Sequence, residues 1–138
     1  MGTIALPDDL IQKMLKHNEE LAASNGIDLD YSEASVKQFD ALLNDFHEGY
    51  INDPEPDRDS LSGIALCVGM YIGEALKKGK SANIQWKYGI PAPGGSATPY
   101  LFQDGNEVYP VDWVAKQIMD GSEASVLKKF RKYKKQLR

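Results

Sequence analysis

The sequence predicts an α+β domain, and three observations predict it. Apolar residues recur at helical spacing through the first half of the chain. The period falls to two near Ile84 and returns to helical spacing after Pro110. Between Asp59 and Glu74, residues 60–73 hold no charge at all. The order reads as three N-terminal helices, a small antiparallel sheet of about three strands including a hairpin, and two C-terminal helices.

Pro7 suits a first helical position, where its missing N–H is no loss, and Asp8 and Asp9 suit the positive end of the helix dipole. Leu10, Ile11, Met14, Leu15 and Leu21 give this helix its face, and Gly26 its stop. Asp30 and Glu33 have capping-box spacing for a second helix, with Ser32 as a rival cap. Val36, Phe39, Leu42, Leu43 and Phe46 form its stripe, and Gly49 is read as its end. Residues 52–59 place two prolines among alternating acids, which predicts irregular chain.

Ser60 is then expected to cap a central helix that runs to about Lys78, before Gly79. Leu61, Ile64, Ala65, Val68, Ile72, Ala75 and Leu76 share one face, and Leu66, Cys67 and Met70 make the other side apolar as well. A helix apolar nearly all round is one that a small domain packs around. Gly63, Gly69 and Gly73 on it imply close approach of a neighbouring backbone.

Ile84, Trp86 and Tyr88 alternate with Gln85 and Lys87 as a strand does. Residues 89–99 hold three glycines and three prolines and read as a loop. Residues 100–109 read as a hairpin turning at Asp104-Gly105. Pro110 opens a short helix with Val111, Val114, Ala115 and Ile118 on one face, stopped by Gly121. Ser122 is expected to cap the last helix, anchored by Val126, Leu127, Phe130 and Tyr133, with the basic end beyond Lys134 free to fray.

No internal repeat and no linker divides the chain, so residues 1–138 read as a single domain. Its 42% hydrophobic and 26% charged content is that of a soluble globular protein. The uncharged stretch falls short of the ~18–20 residues a membrane span needs. The N-terminus lacks the basic start and apolar core of a signal peptide, and a lone Cys67 gives no reason to invoke an oxidising compartment. A cytoplasmic protein is the expectation.

The net charge of −4 hides an asymmetry. Residues 128–138 hold seven of the sixteen basic side chains and no acid. Lys128, Lys129, Arg131, Lys132, Lys134 and Lys135 form a candidate contact patch. With Phe130 and Tyr133 interleaved, it could meet nucleic-acid phosphates, although a pI of about 5.1 works against that partner at long range. The opposite reading is a solvated helix whose charges offset an acidic body.

Five further side chains are candidates for binding or for structure: Tyr71, Glu74, Trp86, Tyr109 and Trp113. Glu74 follows the apolar stretch directly. Buried, it would need a donor such as an indole, a tyrosine hydroxyl or a base, because an unpaired buried carboxylate costs several kcal/mol. It then either ties helix to sheet or serves a site. The acids at 53, 55, 57 and 59 begin a calcium-loop pattern but lack its Gly and Glu, since Arg58 and Ile64 stand there, so no metal is expected. No cofactor is expected either. The Gly94-Gly95-Ser96 stretch lacks the Gly-Lys-Ser/Thr ending of a phosphate loop and reads as mobile surface, at most a lip over a pocket beside the strands.

One resemblance emerges from these pieces. Leu29-Asp30-Tyr31-Ser32 enters a helix, Tyr71-x-Gly73-Glu74 closes the next, and Trp86 stands in the strand that follows. With the hairpin, Pro110 and Asp120-Gly121, residues 28–130 resemble an uncharacterised family of small bacterial domains of unknown function. The resemblance implies the fold and a bacterial origin, and no activity. The functional expectation is a small non-catalytic interaction protein whose partner is another protein, such as an adaptor, regulator or immunity-type protein. The alternative is a small-ligand binder or enzyme with Glu74 in a cleft under the 89–99 loop.

Overall fold

Among the described residues nine regular elements follow one another: β1 (Ile4–Ala5), α1 (Asp8–Asn25), α2 (Glu33–Asn52), α3 (Arg58–Lys77), β2 (Gln85–Gly89), β3 (Thr98–Gln103), β4 (Asn106–Val108), α4 (Pro110–Asp120) and α5 (Val126–Gln136). A short 3₁₀ turn, Gly121–Ala124, joins the last two helices. The computed structural model describes residues 4–90 and 97–138. The arrangement is α+β, with helices and strands segregated along the chain as expected.

α3 is the centre. Val68, Met70, Ile72, Ala75 and Leu76 are 0% exposed, and α1, α2, α4, α5 and β3 all pack against it. Two of its glycines make those approaches feasible. A methyl group on Gly69 would stand 2.5 Å from the Val111 Cα, and one on Gly73 would overlap the Trp86 indole. Gly63 differs: nothing lies within 4 Å of the place its Cβ would take, so close packing does not explain it.

The sheet is antiparallel, in the order β1-β2-β3-β4. Asp104 and Gly105 both have positive φ, 50° and 86°, the geometry of the two-residue hairpin turn that Asp-Gly favours. Trp86, Leu101 and Val108 sit side by side in register and are all buried. The two-residue β1 was not foreseen. It pairs Ile4 with Tyr88 and Ala5 with Lys87, too short a segment to show periodicity.

Several local expectations are corrected. Pro7 is the N-cap of α1 and not its first residue, whereas Gly26 closes the helix in the left-handed region at φ 67°. Ser32, not Asp30, caps α2 by accepting from the Ser35 N–H, while the Asp30 carboxylate accepts from Ser32. Gly49 does not end α2, which runs on to Asn52, so the acidic connection shrinks to residues 53–57. Asp57, not Ser60, caps α3, because its carboxylate reaches the N–H groups of Asp59 and Ser60 together. Ser122 falls in the 3₁₀ turn and Ser125 caps α5.

The largest correction is at the C-terminus, which docks. Leu137 is 2% exposed within the core. The Arg138 N–H donates to Gln103 Oε1 at 2.8 Å, and the Arg138 carbonyl accepts from Ser81 N and Gln103 Nε2 at 2.8 Å each. The Lys134 ammonium donates to the carbonyls of Ala75, Leu76 and Lys78, satisfying acceptors that the end of α3 leaves open. Charge is therefore polarised along α3. Exposed Asp53, Glu55, Asp57 and Asp59 stand at its start, and Lys78, Lys134, Lys135 and Arg138 gather at its end.

Candidate functional site

α3 and α4 meet where Gly69 admits the Val111 backbone. Beside that crossing, with Val111 in its wall, a groove opens between them, lined by Leu61, Ala65 and Leu66 on one helix and Ala115 and Lys116 on the other. The end of β2 and the start of β3 close it with Tyr88, Thr98 and Pro99, and Tyr109 leads into α4 beside it. The volume is about 680 Å³, within the ~300–1,000 Å³ usual for ligand pockets. Tyr88 alternates with Trp86 along β2, yet Trp86 is buried whereas Tyr88 is 41% exposed and forms a wall of the groove.

The lining is mostly apolar, with few polar atoms. Lys116 and Asp112 form an ion pair at 3.1 Å on the rim. The Tyr109 ring stacks on Tyr100 with centroids 4.8 Å apart. Burial, then the Glu107 charge and Tyr100, push its phenol up to about 12, so it stays a neutral donor at ordinary pH. The Thr98 hydroxyl is buried and has no hydrogen-bond partner among the described residues. Such a site offers apolar contact and one or two oriented hydrogen bonds, which is chemistry for holding a group.

A second depression of about 130 Å³ adjoins it, between Leu6, Leu10 and Met14 near the N-terminus and Leu66, Met70, Tyr88 and Pro99. Leu66, Tyr88 and Pro99 line both, so the two form one strip of apolar surface. Leu10 and Tyr88 are exposed along it. The tip of the 89–99 loop, including Gly94-Gly95-Ser96, lies outside the described residues, but its flanking residues Tyr88, Ala97, Thr98 and Pro99 border the groove.

Of the five candidates, only Tyr109 borders this groove. Glu74 lies elsewhere, in a shallow depression with Gln12, Leu15, Tyr31 and Lys78. Its carboxylate pairs with Lys77 on its own helix at 3.2 Å, half-buried, and does not tie α3 to the sheet. Tyr71 is a core residue with a satisfied hydroxyl: it donates to Ser35 Oγ at 2.9 Å and accepts the Tyr31 N–H at 2.8 Å. Tyr31, at φ 59°, stacks on Tyr71 with centroids 4.7 Å apart. Trp86 and Trp113 are buried, the first beneath Gly73 and the second stacked on Tyr133.

The basic patch divides. Lys134 is engaged at the end of α3, Arg131 pairs with Glu33 at 3.3 Å, and burial with the nearby Lys116 charge pulls the Lys129 ammonium downward. Lys128, Lys132 and Lys135 are left exposed on α5. Among the described residues no group of three His, Cys, Asp or Glu side chains is placed to hold a metal. Nor is any helix there long and apolar enough to cross a membrane.

Sequence reading missed Asn18, Gln103 and Gln117, all buried. Gln117 is fully used: its amide donates to the Asp40 carbonyl and Asn44 Oδ1, and its oxygen accepts the Val126 N–H. A polar residue at apolar spacing was the available signal in α1, where Ile11, Leu15, Asn18 and Ala22 share one face. No family model, curated protein or solved structure matches this chain.

Proposed function

We propose that this is a small bacterial, cytoplasmic interaction protein without catalytic activity of its own, acting as an adaptor, regulator or immunity-type partner. On this reading an apolar segment of another protein lies along the groove between α3 and α4. One observation carries the reading: the groove and its neighbour share Leu66, Tyr88 and Pro99 and so make an elongated apolar strip instead of an isolated pocket. A strip suits a polypeptide, whose successive side chains need successive contacts. The basic residues of α5 are the lesser candidate surface for a nucleic-acid partner.

A second reading, a small apolar ligand in the groove alone, draws on its volume and on the unpartnered Thr98 hydroxyl. It replaces Glu74 with Tyr109 and Thr98 as the polar contacts. Selection from a displayed library of random short peptides separates the two. Under the first reading, enriched peptides carry apolar anchors and lose binding to Ala115→Trp, which fills the groove. Peptides that bind wild type and Ala115→Trp equally would remove the groove from the argument. Absence of peptide enrichment, with aromatic fragments shifting the NMR signals of Tyr109 and Thr98, would favour the second.

A further inference from the structure

β1 and α1 form an arm laid across the rest of the domain. α1 packs on α3, and among the described residues no other helix makes more than marginal contact with it. β1 pairs with β2 alone, and the Leu6 N–H continues that pairing to the Trp86 carbonyl at 3.2 Å.

The seam under this arm is imperfect in two independent places. Asn18 lies on the buried stripe of α1 and is 0% exposed. Neither its amide nitrogen nor its oxygen has a hydrogen-bond partner among the described residues. A buried amide without partners opposes burial of the face that carries it. Nearer the N-terminus, the depression of about 130 Å³ lies between Leu6, Leu10 and Met14 on the arm and Leu66, Met70 and Tyr88 on the body. Its walls forgo the contacts that close packing would give them. The connection to α2 offers a pivot. Gly26 is left-handed at φ 67°, whereas Tyr31 is pinned to the body by its stacking on Tyr71 and by its N–H bond to that hydroxyl.

We propose that the β1–α1 arm is a lid, lifting from α3 and β2 as one unit while the other helices and strands stay folded. Its opening uncovers Met70 and frees the arm-side flanks of Leu66 and Tyr88, which already wall the groove, so a bound apolar segment gains room along α3. That use of the lid rests on the reading of the groove as a binding site, whereas the opening itself does not. Once lifted, α1 is an isolated helix of 18 residues, which is marginal in water and frays. Its amides then exchange with solvent.

Native-state hydrogen exchange on the full chain tests this without any ligand. The amides of α1 and of Leu6 are expected to exchange together, at least a hundred-fold faster than those of residues 68–76. Gly63→Ala, a substitution on the body, should slow residues 68–76 several-fold and leave the arm unchanged. Asn18→Leu should slow the arm by about ten-fold, because it removes the orphan amide. A single rate for arm and body, or a Gly63→Ala variant that slows both alike, would overturn the lid. An Asn18→Leu variant that folds and leaves the arm's rate unchanged would remove the amide as the cause of opening. Failure of the peptide selection above would leave these rates as they are, so the two ideas fall separately.

Discussion

Gly63, Gly69 and Gly73 stand on one helix, and the space around each decides its effect. Gly63→Ala meets nothing within 4 Å and gains helix propensity, so it should stabilise the protein by about 0.5–1 kcal/mol. Gly73→Ala drives a methyl into the Trp86 indole and should cost about 1–3 kcal/mol or more. Urea titration of the pair shows the opposite signs. Glu74→Ala removes only a half-buried pair with Lys77 and should change stability by about 0–1 kcal/mol; a larger loss by thermal melting would reveal a partner beyond Lys77. Tyr109 carries a pH dependence. Its folded-state pKa of about 12 lies above the ~10 of an unfolded tyrosine, so the folded chain holds that proton more tightly. The associated stability is complete below pH ~10 and is lost as pH rises toward ~12. Tyr109→Phe should flatten the fall of melting temperature across that window.

At the scale of elements, the C-terminal helix overturns an expectation with a clear physical cause. Residues 134–138 read as a fraying basic end because Leu137 is one apolar residue among lysines. What docks it is not periodicity but the acceptors left open at the end of α3 and the buried amide of Gln103, both far away in sequence. Leu137→Ala should cost about 2–5 kcal/mol, seen as a lowered urea midpoint with unchanged slope. The helices with unbroken stripes, the Asp-Gly hairpin and the burial of both tryptophans were legible, since each is written in a few neighbouring residues. Caps were less so: Asp57 and Ser60 compete for one helix start, and the winner depends on which side chain reaches two N–H groups. The groove was hidden for the same reason as the docked terminus. Leu66, Tyr88 and Ala115 come from three separate elements, and no local pattern joins them.

For the whole molecule, the order of packing follows from α3. Every other helix leans on it, and α1 is the one with the fewest further attachments. The motif pieces at Asp30-Tyr31-Ser32, Tyr71, Gly73 and Trp86 then make structural sense: Tyr71 fastens the entry to α2, and Gly73 seats the indole of the following strand. The separation of charge along α3 has a consequence for how the molecule sits against a charged surface. A helix of 20 residues holds its ends ~30 Å apart, well beyond the ~10 Å over which 0.1 M salt screens charge. The protein is therefore a large electric dipole, and a surface of either sign can turn the matching end toward itself. Above its pI of about 5.1, it should still be retained on a sulfonate cation-exchange resin at low salt, bound by the lysine-rich end. Replacing Lys78, Lys135 and Arg138 with glutamine should abolish that retention and leave binding to an anion-exchange resin intact. An unmodified protein that flows through the sulfonate column at pH 7 would show that the two poles do not act as separate surfaces.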